Sequence, residues 1–149
     1  DDRYRQWIGM GFVAAVLFAV ACAIYGLLHV LLSSLLLNLS VALFAFVDAL
    51  LLSAMLVAYL AVKYVAYASL MKSHKVWASC GAAFGSVSRM RFVLLAGTLA
   101  FFVLQLLQYP LATWYFIHPI GAIIVQLLIF LVFVSWMRLV VVREISEHN

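Results

Sequence analysis

Between Trp7 and Val62 the chain runs for 56 residues with a single formal charge, Asp48, set in the stretch AFVDALLL. A bilayer crossing takes about 20 apolar residues, so this run is too long for one span and right for two joined by a tight turn. The rest of the composition agrees. At 69% hydrophobic and 9% charged, with a mean hydropathy of +1.21, the chain lies far from the soluble range, where about a quarter of residues are charged. The expected class is an all-α integral membrane protein: four transmembrane helices in an antiparallel bundle, with 1–149 as a single transmembrane domain. The first residue is Asp1 rather than Met, which points to a processed or trimmed chain.

Turn and charge signals divide the chain. Ser33, Ser34, Asn38 and Ser40 form the one cluster of turn-competent polar residues inside the first apolar run. Helices are therefore expected over about 7–36 and 40–70. A basic inner loop over 71–90 follows, then helices over about 91–109 and 119–143. Pro110 favours a stop, and Pro119 suits a helical first turn. Tyr109, Trp114, Tyr115 and Phe116 between them look like an interfacial aromatic belt.

The nine Lys and Arg give an orientation. With four spans, all lie on or near the side shared by the N-terminus, the 71–90 loop and the C-terminus, and neither opposite turn carries one. The positive-inside rule then puts both termini on the cytoplasmic, matrix or stromal side. Lys63 lies inside the second helix but near its basic end, within snorkelling reach of the interface. Whether the membrane is plasma membrane, endomembrane or an organellar inner membrane is open.

Asp48 is the costly residue. A carboxylate in the apolar core costs several kcal/mol unless neutralised or partnered. Counting outward from a turn centred near Asn38 brings His29 level with Asp48. Counting from a turn near Tyr115 brings Gln105 level with Gln126. All four lie about ten residues from their turn, roughly 10 Å into the apolar core. They are expected as one polar layer, with Tyr25 and Ser53 as extensions. The acidic pair is compatible with Asp⁻ beside His⁺ or with a neutral acid beside a neutral imidazole, since desolvation and an adjacent cation act in opposite directions. Such a layer serves either as a proton or ligand site or as interhelical glue.

Small residues recur every four positions at Gly11, Ala15, Ala19 and Ala23, and again at Ala45, Ala49 and Ser53. Such ridges let helix backbones approach closely, and the expected contact is between the first two helices, with a partner protein as the alternative user. In the inner loop, Lys72, Lys75, Arg89 and Arg91 are expected either to fix topology or to contact anionic lipid or a partner, at about 1 kcal/mol per basic residue near a charged leaflet.

Catalytic signatures are lacking. The histidines, His29, His74, His118 and His148, are scattered, which leaves no helical metal-binding spacing, so no metal or cofactor is expected. Ser33 and Ser34 at a turn lack a base-and-orienter set beyond His29 and Asp48. Cys22 and Cys80 fall on different sides of the topology and are not expected to pair. The net charge of +4 is accounted for by orientation and gives no reason to invoke nucleic acid.

The segments DALLLSA and WASCGAAFG, within residues 48–85, resemble the third-helix and loop pattern of plant Casparian-strip membrane proteins, relatives of the four-span MARVEL group. That resemblance implies a membrane scaffold. In that family, however, the Trp and Cys loop faces outward and carries a second cysteine, whereas here it carries the positive-inside signal and one cysteine. The functional expectation therefore rests on composition and charge. It is a non-catalytic membrane subunit that scaffolds or stabilises a larger assembly, with membrane protein partners or as a homo-oligomer. The alternative is a small transporter, channel component or lipophilic-ligand-binding bundle using the Asp/His layer.

Overall fold

A computed structural model describes residues 2–147; His148 lies outside the described residues, as does the Tyr109 side chain. Six helices follow one another: α1 (Asp2–Leu36), α2 (Val41–Ser73), α3 (Val76–Val87), α4 (Arg91–Leu106), α5 (Gln108–Ile117) and α6 (Pro119–Glu147). No strand occurs among the described residues. Helices α1, α2 and α6 are each long and apolar enough to cross a membrane, while α3 and α4 pass that test together as a pair bent by 82°.

The turn between α1 and α2 forms where the polar cluster predicts it. Ser33 and Ser34 donate their hydroxyls to the carbonyls of Val30 and Leu31, so the serines serve α1's own backbone and the helix continues to Leu36. Ser40 then caps α2: its backbone is extended and its Oγ accepts from the Leu43 amide. At the other end His74 takes a left-handed conformation, φ 54°. Its amide closes on the Leu70 carbonyl at 3.0 Å, ending α2.

Two expectations need correction. The stretch 71–90 is not simply a loop, because α3 occupies most of it. Its glycines and serines disguise a helix whose Ser79, Cys80, Ala83 and Val87 are all buried, a small-residue face at the three-to-four spacing of one helix side. Ser73 and Ser79 join their hydroxyls at 2.9 Å, and Ser79 also donates to the Lys75 carbonyl, which ties the α2–α3 link. Nor does one helix run over 91–109 and stop at Pro110. Helix α4 ends at Leu106 and Pro110 falls in the first turn of α5, where its missing N–H has no helical acceptor to lose. The aromatic connection is thus largely helical, with Trp114, Tyr115 and Phe116 exposed.

Helix α2 is the hub, packing on α1, α3, α4 and α6. Its buried apolar side chains, Val57, Leu60, Ala61, Val65, Ala66 and Leu70, sit in its later half, and the core gathers there with Val87, Val93, Phe133, Met137 and Val141. Helices α2, α4 and α6 come together closely at Gly97. A Cβ placed there would meet Met137 Sδ at 2.8 Å and Val57 Cγ1 at 3.0 Å. Gly97→Val is therefore expected to destabilise the bundle by about 1–3 kcal/mol through overpacking. Gly26→Ala, which meets nothing within 4 Å, should hold or raise the thermal midpoint in detergent, since Ala favours a helix interior over Gly. Equal midpoints for the two variants would show that this crossing does not limit stability.

Candidate functional site

Tyr25 and His29 are four residues apart on α1 and so share a face. That face meets Asp48, in the first part of α2. Asp48 uses both carboxylate oxygens: Oδ2 accepts from the Tyr25 hydroxyl at 3.0 Å, and Oδ1 lies 2.7 Å from His29 Nδ1. One proton lies between Nδ1 and Oδ1 in either charge state of the pair. The side chain of Asp48 is 19% exposed and that of His29 42%. Phe44 closes against the imidazole with ring centroids 5.4 Å apart.

A second polar contact joins α2 to α4. Gln105 donates its amide to Ser53 Oγ at 3.2 Å, and Ser53, fully buried, donates in turn to the Ala49 carbonyl at 2.7 Å. Asp48 and Ser53 are five residues apart, which at 3.6 residues per turn separates them by about 140° around α2. The two contacts thus lie on different sides of the hub, and no hydrogen bond joins them among the described residues. Counting from turns gives depth along a helix and leaves azimuth undetermined.

Gln126 is in neither contact. It lines a cavity of about 40 Å³ with Phe101, Leu104 and Gln108. Among the described residues no hydrogen bond joins it to His29, Asp48 or Gln105. Gln108, which the sequence reading passed over, also lines a groove of about 480 Å³ between α2 and α4–α5, with Gln105 on the wall and Ala42, Ala45 and Ala49 along α2. Its spacing of three from Gln105 was the available signal.

The small-residue ridges also fall differently from expectation. Helix α1 meets α2 through Met10, Ala14, Leu17, Ala21, Tyr25 and His29, all buried or half-buried, whereas Ala15, Ala19 and Ala23 are exposed. Only Gly11 of that ridge turns partly inward, toward Tyr67. On α2, Ala45, Ala49 and Ser53 face the α4–α5 side. The two ridges do not meet, because larger side chains occupy the α1–α2 seam. Tyrosines that the sequence reading did not single out help to close that seam. Tyr59 donates to the Ala14 carbonyl at 3.3 Å, and Tyr67 stacks on Trp7 at 5.6 Å.

Of the four loop cations, Lys72 and Arg89 line a cavity of about 620 Å³ with Glu144. Lys75 precedes α3 and Arg91 opens α4, both exposed. Cys22 is exposed and Cys80 buried, each with a free thiol. Among the described residues no three His, Cys, Asp or Glu side chains converge as a metal site.

The Asp48 contact can fasten one helix to another and leaves no carboxylate oxygen without a partner. His29→Leu should cost more stability than the double substitution His29→Leu/Asp48→Leu, by about 1–3 kcal/mol, because the single change strands a carboxylate oxygen. Detergent unfolding of the four members of the cycle checks this, and additive effects would dismiss the fastening role.

Comparison with protein-family models, with curated proteins and with solved structures finds no match for this chain.

Proposed function

We propose that this chain is a non-catalytic membrane subunit that crosses the bilayer four times, with both termini on the inner side. Its spans are α1, α2, the bent α3–α4 pair and α6, and it holds a place in a larger assembly through the outward face of α1. The distribution of the nine cations supports the orientation.

The observation that carries the reading is the state of α1. This helix packs on α2 and, at its start, on α3, and no residue in its most apolar 18-residue stretch is buried. Ala15, Ala19 and Ala23 lie on its free face. Lipid tails are served equally well by large aliphatic side chains. A repeat of small residues instead suits a neighbouring helix that approaches closely. The closed bonding of Asp48 agrees with this reading, since it holds α1 at a set register on the hub.

One observation favours the alternative, a bundle that binds a lipophilic ligand. The groove between α2 and α4–α5 places the Gln105 and Gln108 amides beside a wall of alanines.

Purification of the full chain in mild detergent, with a photo-crosslinking residue at position 19 or 21, separates the two. The subunit reading expects a defined protein adduct from position 19 and none from position 21, which faces α2. It also expects Ala19→Leu/Ala23→Leu to lower partner recovery by about ten-fold or more without moving the thermal midpoint, since close packing between small-residue faces is lost. A chain that migrates alone, with a small molecule retained and lost on Gln105→Leu, would establish the alternative. Single cysteines at positions 38 and 75, labelled from each side of sealed vesicles, test the orientation.

A further inference from the structure

Helices α2, α3 and α6 enclose a cavity of about 620 Å³ at the basic end of the molecule, within the size range of small-ligand sites. Lys72 comes from α2, Arg89 from the turn after α3, and Glu144 from α6; Ser69 and Ser86 add hydroxyls, and Val65 and Ile145 contribute apolar surface. Among the described residues neither Lys72 nor Arg89 forms a salt bridge. Three separate elements therefore deliver two cations, a carboxylate and two hydroxyls to one concavity.

The charges state what fits. Two cations and one carboxylate leave a net +1, the complement of a single phosphodiester. Arg and Lys are the usual phosphate partners. A carboxylate beside them repels a second phosphate and accepts a hydrogen bond from a hydroxyl or ammonium. We infer that this cavity binds the headgroup of a phosphodiester lipid that carries such a donor, with Lys72 and Arg89 on the phosphate and Glu144 on the donor. Val65, about two helical turns before Lys72 on α2, then lies toward the acyl end. Lys75 and Arg91 belong to the same basic connection and are not part of the lining, so the site is distinct from a general attraction of the connection to an anionic leaflet. The inference rests on the proposed placement of this end at the inner bilayer surface. Vesicle labelling reads that placement independently, so the two can fail separately.

The test is native mass spectrometry of the full chain taken from bilayers containing phosphatidylglycerol, phosphatidylethanolamine and phosphatidylcholine. The expected result is one retained phosphatidylglycerol or phosphatidylethanolamine per chain, and at least about five-fold less of the choline lipid, which has no donor. Lys72→Gln and Arg89→Gln should each lower retention about five-fold, at an unchanged thermal midpoint. Lys75→Gln/Arg91→Gln should change it less than about two-fold. Glu144→Leu should raise the share of the choline lipid by removing the acceptor that discriminates against it. Equal losses from the two cation pairs would overturn the inference in favour of diffuse surface charge. Full displacement by soluble glycerol 1-phosphate would overturn the lipid as the source of the phosphate. Retention unaffected by Lys72→Gln and Arg89→Gln would remove the site.

Discussion

Everything in this fold depends on how closely α4 and α6 can approach α2. In a lipid setting, apolar side chains gain little by leaving one hydrocarbon surface for another, and helix association rests on close van der Waals contact and a few polar bonds. Gly97 supplies that contact, since its missing side chain leaves room for Met137 and Val57. Around it α2 gathers its neighbours in its later half, where the core lies. The earlier half also carries hydrogen bonds on two sides of the hub, from Asp48 to α1 and from Ser53 to α4. Close packing dominates the later half, where Tyr59 and Tyr64 add bonds to the Ala14 and Val134 carbonyls.

That division explains the position of Asp48. A carboxyl group with one partner would be a source of instability, but two partners from the same face of α1 turn it into a fastener with a defined register. The Ser53–Gln105 bond does a milder version of the same work toward α4. Neither contact needs the other. The serines nearest the α1–α2 turn bond their own helix carbonyls and are part of neither.

Much of this could be read in advance. The polar cluster before Ser40 marks the hairpin turn, and equal counting outward from it finds the His29–Asp48 contact, because both helices rise by the same amount per residue. What counting lacks is rotation about the axis, so it does not say which neighbour a level side chain meets: Gln105 bonds Ser53 and not Gln126. The α1 ridge was misplaced for a related reason. Repeated small residues announce that something can come close without saying what, and the seam with α2 is filled by Met10, Leu17, Tyr25 and His29. Helix α3 was obscured by composition, since WASCGAAFG reads as a flexible connection until its buried positions, Ser79, Cys80, Ala83 and Val87, are seen to share one face.

The order in which Asp48 and its partners occur in the chain has a consequence for biogenesis. Tyr25 and His29 precede Asp48 by 23 and 19 residues, so during synthesis the partners leave the ribosome before the carboxyl group does. On the proposed placement, α1 and α2 can enter the bilayer as one hairpin in which the acid is already matched. The carboxylate then has no need to face lipid alone while it waits for α4. The insertion machinery handles one closed unit, and the later helices add to a framework whose most expensive group has been settled.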